Sequence, residues 1–446
     1  MNITFNERDE FQRKQIAEKA IQLLRADVEI SPMVIDGSWG TGKTEFCHKL
    51  INLMAEDETH HLIYVDAFQA DHADEPLLTV LAEVINILPS EEAQESFIQK
   101  AIPAARYGLK TLAKAGVAHL LRQDAADVVN DFDKEIQKAA NKAIDASVES
   151  VLKDHVKASE SLKALQETLQ GIAQEKPIVL FVDELDRCRP NFAVNMLEII
   201  KHTFNVEGVQ FVLVTNTQQL RSSINHCYGE TVDAQRYLDK FLKYSFSLPQ
   251  VKGLNTYQET SVSLSHYKNL VKKSNALESL RLQECGSIRI IEQIIKVNKL
   301  SLREVETLVR HLEVYVALSQ QGHLSNNTIF GYKALTVLAI AIYSIRPKLG
   351  NAILSQTFDA KDVGNILGKI GLTAPTDHHR PDEMELICYL ICSNNCKNSE
   401  IFTPEGDENQ DTWNSYADDY FRGSFYRPGH GFVSICKDAL TVLSLH

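Results

Sequence analysis

No stretch of this chain stays apolar for the roughly 18 residues that a membrane-spanning helix requires. The nearest, Ala334 to Ile345, is too short and fits a buried helix. The first residues, Met1 to Arg13, are polar and charged and do not read as a signal peptide. Basic residues are in deficit: 46 Lys and Arg stand against 59 Asp and Glu, a formal charge of −13. That balance argues against a broad nucleic-acid surface, and with it a DNA-tracking motor, while leaving room for a local basic patch. Eight cysteines in 446 residues, without an export signal, read as reduced thiols, and a cytoplasmic location is expected. No internal repeat is visible. What is present is a 44% hydrophobic content, enough for a sizeable core, and a length that suggests about two or three domains.

Against that background one stretch stands out: Met33-Val34-Ile35-Asp36 followed by Gly37-Ser38-Trp39-Gly40-Thr41-Gly42-Lys43-Thr44. A short apolar strand runs into G-x-x-x-x-G-K-T, the Walker A pattern. Glycines let the backbone curl so that its N–H groups converge on phosphate oxygens. Lys43 adds a positive charge at the β- and γ-phosphates, and the Thr44 hydroxyl is a Mg²⁺ ligand candidate. Glu45 to Met54 reads as a helix whose N-terminal end favours anions. The candidate nucleotide-binding run is therefore Gly37, Ser38, Trp39, Gly40, Thr41, Gly42, Lys43, Thr44 and Glu45.

Pro177-Ile178-Val179-Leu180-Phe181-Val182-Asp183-Glu184 supplies the second half, an apolar strand ending in two acids, which is the Walker B pattern. Asp183 belongs at the strand's carboxyl end, where it can hold the hydration shell of Mg²⁺. Glu184 is placed to orient and polarise an attacking water. Leu185-Asp186-Arg187-Cys188-Arg189-Pro190 follows. Either Arg187 or Arg189 touches phosphate or a neighbouring subunit's site, or Asp186 and Arg187 form a structural pair that shapes the loop. Val209 to Val214 is another buried strand with Thr215-Asn216 at its end. Asn216 is either a γ-phosphate sensor or part of a plain turn.

Around these motifs, strands and helices alternate as in a parallel α/β sheet. A helix with an apolar face is expected over Asp9 to Arg25, beside the Walker A strand. A second strand, His61 to Phe68, ends in a loop, and Pro76 opens a helix through Leu88. Too many residues separate Lys43 from Asp183 for the βα units between them. Pro103 to Lys176, proline-free between its bounding prolines, accounts for the excess as a helical insertion. Within it, Ala104 to Leu121 carries Arg106, Lys110 and Lys114, either as a membrane-surface or partner-docking helix or as a packing helix with a solvated basic edge. Asp233 to Pro249 reads as a helix followed by a strand or linker, and the signals after Val251 are helical. Helices are expected over Ser287 to Lys299 and Ser301 to Leu312, with Ser301 and Glu304 as a capping box. Arg303 either points back at the nucleotide or is an exposed helix arginine. Cys388, Cys392 and Cys396 share a helix face, but a metal site prefers tighter spacing and a nearby fourth ligand, which His378 and His379 do not supply in a zinc pattern. The tail from Glu405 to Gly431 reads as polar and loop-rich. The expected domains are 1–100 with 173–250 as the NTPase core, 101–172 as the insertion, 251–320 as a helical lid-like region, and 321–446 as a C-terminal helical domain.

Taken together, the Trp-Gly before Thr41-Gly42-Lys43-Thr44 and the phrase Asp183-Glu184-Leu185-Asp186-Arg187-Cys188 with Pro190 resemble the KAP family of P-loop NTPases. Val65-Asp66-Ala67-Phe68 with Asp74-Glu75-Pro76-Leu77, Arg236 to Lys240 with Leu248-Pro249, and Ser301-Leu302-Arg303-Glu304 are similar to further segments of that family. The resemblance covers about residues 9 to 312. It implies the additional-strand branch of P-loop folds, ATP and Mg²⁺ as ligands, and self-association as a ring or dimer. It implies Lys43, Asp183, Glu184 and an arginine, Arg303 or Arg187, as the catalytic set, with Thr44 and Asp183 on the metal. Family insertions often cross membranes; this one is too polar to do so. The family usually has Asp where Asn216 stands. Some bacterial members act in exclusion of, or defence against, bacteriophage. The reading is an Mg²⁺-dependent ATPase that controls assembly or a separate effector, with a nucleotide-gated scaffold of low turnover as the alternative.

Overall fold

The computed structural model describes residues 3–9, 11–26, 28–73, 75–101, 160–252, 260–280, 282, 287–319, 322–325, 328, 330–375, 380–393, 400–421 and 432–445. The insertion readings on 102–159, Ala104–Leu121 among them, lie outside the described residues, as do Asp74, His378, His379 and Cys396. The chain forms two compact units. The first is Met1–Asp9, Arg13–Ser38 and Gly42–Leu248; the second is Glu10–Gln12, Trp39–Thr41 and Pro249–His446.

In the first unit, helix α1 (Lys14–Arg25) precedes β1 (Met33–Asp36), and α2 (Lys43–Ala55) follows it. Then come β2 (His61–Asp66), α3 (Ala67–Ala70), α4 (Pro76–Asn86), β3 (Ile178–Asp183), α5 (Pro190–His202), β4 (Val209–Thr215), α6 (Thr217–Tyr228), α7 (Ala234–Leu238) and β5 (Tyr244–Ser247). All five strands are parallel, in the order β2-β3-β4-β1-β5. Strand β4 therefore separates β1 from β3, which is the additional-strand arrangement. The register aligns the strand ends: Asp36 lies opposite Thr215, and Asp183 opposite Asp66 and Val214. Ladder bonds continue one step beyond, with Gly37 N–H donating to the Thr215 carbonyl and Glu184 N–H to that of Val214. Both motif loops thus leave from one edge of the sheet.

The sheet is covered on both faces, which is why its central strands are continuously apolar. Alternate residues divide between two cores. Met33, Ile35, Val179, Phe181, Val212 and Val214 pack with α1 and α2 through Ala17, Leu24, Phe46 and Leu50. Val34, Ile178, Leu180, Val182, Phe211 and Leu213 pack with α4, α5 and α6 through Val80, Leu197 and Leu220. That second core also takes Phe97, Leu165 and Leu169 from helical residues 91–101 and 160–175. Pro76 and Pro190 both open helices, where a missing N–H costs nothing.

Three expectations shift. The strand at His61 stops at Asp66, because the Asp66 carboxylate accepts from Gln69 N–H and starts α3 in place of a loop. The helix after Asp233 is only α7, and the backbone becomes strand at Tyr244 because β1 offers a free side to pair with. The tail is not loop-rich over its first half. Residues Asp407–Phe421 form a helix that buries Trp413 and Ala417, spaced four apart, with Asp407 and Glu408 in its first turn.

From Pro249 onward the second unit opens with a two-stranded antiparallel ribbon, Val251–Lys252 with Thr260–Ser261, which the helical reading of this region did not anticipate. Helices α8 (Val262–Lys273), α9 (Ser287–Asn298), α10 (Leu302–Ser319), α11 (Phe330–Ile345), α12 (Pro347–Leu354), α13 (Ala360–Leu367), α14 (Glu383–Ser393), α15 (Asp407–Phe421) and α16 (Phe432–Leu443) follow. Helix α11 is apolar all round and packs against α9, α10, α12, α15 and α16, so its hydrophobicity is that of a core helix. Among the described residues no helix is long and apolar enough to cross a membrane. Ahead of α10, Ser301 N–H donates to the Glu304 carboxylate at 2.8 Å and Glu304 N–H donates to Ser301 Oγ at 3.4 Å, the expected capping box.

Candidate functional site

The loop after β1 turns on two glycines. Gly40 and Gly42 have φ of +76° and +81°, in the left-handed region that a side chain disfavours. Gly42 is also the residue from which α2 starts, so the sharp change of direction and the helix N-terminus coincide. Lys43 opens that helix and is buried, its Nζ donating to the carbonyls of Gly37 at 2.6 Å and Ser38 at 3.1 Å. Burial lowers the Lys43 ammonium from its ordinary value; Asp186, Asp183 and Asp36 oppose that shift, and the nearby Arg187 adds to it. The lysine is thus a desolvated cation amid carboxylates at the strand edge. Trp39 is half exposed at the loop's tip. The Glu45 side chain pairs with Lys49 at 2.7 Å, so what Glu45 can offer an anion is its backbone N–H in the first turn.

Asp183 ends β3 and is 1% exposed. Its carboxylate accepts from Glu184 N–H at 2.7 Å and from the Tyr64 hydroxyl at 3.2 Å, and Thr44 hydrogen-bonds to it as well. Burial holds the Asp183 carboxyl above the ordinary aspartate value, and those three hydrogen bonds together with Lys43 pull it back. Thr44 and Asp183, far apart in sequence, are therefore adjacent. Glu184 follows with φ +59° and ψ +24°, left-handed without being glycine. Burial raises its carboxyl too, opposed by Arg187 and reinforced by Asp183, Asp66 and Asp186. Backbone strain of this kind in a residue with a side chain costs about 1–3 kcal/mol and clusters at functional sites.

The remaining candidates separate. The Asp186–Arg187 pair does not form as a pair. Asp186 is buried and accepts from Thr215 Oγ1 at 3.1 Å, while Arg187 Nη1 reaches Glu184 Oε1 at 3.0 Å. Arg189 is held by Asp71, through its backbone N–H and Nε, both at 3.1 Å, and through Nη2 to the Asp71 carbonyl. Asn216 stands at the end of β4, between the two motif strands, and its Oδ1 caps α6 by accepting from Gln218 and Gln219 N–H. That accounts for the plain structural side of its reading. Arg303 lies in the first turn of α10 in the second unit. Cys388 is buried and outside any disulfide, as are Cys47, Cys188 and Cys436.

Reading the sequence alone missed the roles of Tyr64 and Asp36. Tyr64 lies opposite Phe181, so Asp183 is its diagonal neighbour on the same face of the sheet. The signal was there in the strand register, which requires the pairing partner to be known. Asp36 accepts from Thr217 N–H at 2.8 Å and so ties the end of β1 to the start of α6.

This geometry can be set beside known proteins. The sequence is 23% identical over 258 residues to the phage T7 exclusion protein of Escherichia coli (strain K12), a match that covers 53% of this chain and 32% of that protein. The chain thus spans about a third of the length of that relative. Among solved structures, AMPPCP-bound DnaA from Aquifex aeolicus aligns over 96% of this chain and 84% of its own, at 13% identity and a TM-score of 0.29. Residues 13–319 match the family model described as the KAP family P-loop domain. That match takes in the glycine loop, the acidic strand end and Arg303, and it covers well over half of the sequence. The chain belongs to the KAP family of P-loop NTPases.

Proposed function

We propose that this protein is an Mg²⁺-dependent ATPase whose cycle controls assembly or the grip on a separate effector, in defence against bacteriophage. The observation that carries the chemistry is the convergence of buried Lys43 and Asp183 with half-buried Thr44 at one strand edge, with Glu184 next in line. The donor set suits Mg²⁺. A hydroxyl and one carboxylate are what that ion takes from a P-loop, the rest of its shell being water and phosphate. Among the described residues there is no cluster of three or more His, Cys, Asp or Glu side chains that would cage another metal. Thr44 and Asp183 would hold the ion, which when bound neutralises charge on the phosphate oxygens.

The chain's own residues do the remainder. Backbone N–H groups from Gly37 to Glu45 bind phosphate, and the Lys43 ammonium neutralises charge that grows in the transition state. Lys43 is largely withdrawn from water, and its ammonium would exchange the Gly37 and Ser38 carbonyls for phosphate oxygens. Glu184 orients and polarises the attacking water. Asn216 is assigned to this site as a polar side chain beyond β4. The relative's name, a phage exclusion protein, supports the defence setting, and the −13 formal charge fits a protein partner better than a nucleic acid.

Nucleotide binding and phosphate release, measured on the parent, Lys43→Ala and Glu184→Gln, test the reading. The expected pattern is no binding for Lys43→Ala, and binding without turnover for Glu184→Gln. Full turnover by Glu184→Gln would overturn the assigned base. A parent that binds nucleotide and turns over only with its partner would instead be a nucleotide-gated scaffold. Capture of proteins on the Glu184→Gln form would then name the partner.

A further inference from the structure

We propose that Arg187 is a positioning residue for Glu184, holding its carboxylate in line for water activation at the end of β3. The inference rests on the ATPase reading and adds to it the group that fixes the base. It begins from the backbone. Residues Leu185–Arg187 form a 3₁₀ turn, in which side chains three apart eclipse. That geometry brings the Arg187 guanidinium back over Glu184, at 3.0 Å. Neither partner is fully in water, the side chains being 19% and 30% exposed for Glu184 and Arg187, so the pair is less screened than one at the surface.

The turn does not need this pair to hold its shape. Arg187 N–H donates to the Glu184 carbonyl at 3.0 Å, and Asp186 ties the turn to Thr215. Leu185 is fully buried in the sheet's core. The left-handed backbone of Glu184, bonded through its N–H to Val214 and to the Asp183 carboxylate, fixes where its side chain starts. What remains to be fixed is the side-chain torsions, and the ion pair with Arg187 restrains them. Asp186 points away to Thr215, so one turn gives one charged residue to the scaffold and one to the base. Arg187 also stands near enough for its charge to oppose that of Lys43. Its guanidinium therefore lies within the charged cluster at the strand edge.

The test is steady-state phosphate release and nucleotide affinity for full-length parent, Arg187→Ala and Arg187→Lys. Arg187→Ala should lose on the order of tenfold to a hundredfold in kcat, the usual cost of a misplaced catalytic group. Its KM and nucleotide affinity should stay within about twofold of the parent. Arg187→Lys, which can still reach the carboxylate with a cation, should recover part of the loss, and the thermal midpoints should match. If Arg187→Ala does not fold, Arg187→Gln carries the same comparison. Parental kcat in the alanine variant would overturn the inference. So would a rise in kcat, which would make Arg187 a restraint, or a loss confined to KM, which would make it a phosphate ligand. An active parent with unaffected variants sinks this inference alone; a parent without turnover brings down the ATPase reading as well.

Discussion

The two loops at the carboxyl edge of the sheet solve the same geometric problem with opposite materials. After β1 the chain reverses through left-handed Gly40 and Gly42, and after β3 it reverses through left-handed Glu184. In the first loop the backbone itself is the functional surface, so the residue in the strained conformation should have no side chain. In the second loop the side chain is the point, and the strain is tolerated because Glu184 is held on every side. Its N–H bonds Val214 and Asp183, its carbonyl bonds Arg187, and its carboxylate meets the Arg187 guanidinium. One loop presents amides and the other presents acids, and Lys43 lies among Asp186, Asp183 and the strand-end Asp36.

The largest effects should come from removing the charges that this contrast singles out. Lys43→Ala is expected to abolish nucleotide binding, a loss of at least about 3 kcal/mol or more than roughly a hundredfold in Kd, because a desolvated cation is lost from beside the phosphates. Titration with a fluorescent nucleotide measures it. Glu184→Gln should leave that affinity in place and cut phosphate release by about 10²–10⁴, the span of general-base contributions. If both variants failed in binding, the division between an amide loop and an acid loop would be broken.

Asp183→Asn sharpens the comparison by separating function from stability. Burial holds the Asp183 carboxyl above its ordinary value of 3.8, so the folded state resists its ionisation. The sign follows: the unfolded chain releases this proton first as pH rises. Stability is therefore lost from about the ordinary value up through the folded one. Asparagine does not ionise. In chelator, the midpoint of Asp183→Asn should equal or exceed the parent's, and its advantage should grow as pH rises above 3.8. Its Mg²⁺-dependent nucleotide affinity should fall. A variant destabilised at every pH would mean that the hydrogen bonds from Thr44, Tyr64 and Glu184 outweigh the cost of the buried charge.

The parts of the fold that could be read from residue order are those with local causes. Glycine spacing, apolar strands ending in acids, Pro76 at a helix start and the Ser301–Glu304 box each act within a few residues, and each appears where expected. What stayed hidden depends on pairing across the sheet. Tyr64 reaches Asp183 only because β2 and β3 are neighbours, and Asp186 finds Thr215 only because β4 lies beside β3. The Asp186–Arg187 pair failed for a related reason. The 3₁₀ turn eclipses residues three apart, so Arg187 falls over Glu184 and not over its sequence neighbour. Helix α15 was missed because its composition is polar, although Trp413 and Ala417 carry a sufficient apolar stripe.

The smallest effect is also the most direct probe of the contrast between the loops. Gly42→Ala places a Cβ at φ +81°, which costs about 1–2 kcal/mol in the left-handed region. Its thermal midpoint should drop. Glu184→Gly does the reverse, relieving the same conformation at φ +59° and removing a carboxyl that burial disfavours. Against it stand the lost ion pair, worth about 0–1 kcal/mol at this exposure, and the added freedom of the unfolded chain, about 0.5–1 kcal/mol. These terms nearly cancel, so the midpoint of Glu184→Gly should equal the parent's or rise slightly while turnover disappears. A drop as large as that of Gly42→Ala would give Glu184 and Arg187 a role in holding the turn, and the acid loop would then be scaffold as much as site.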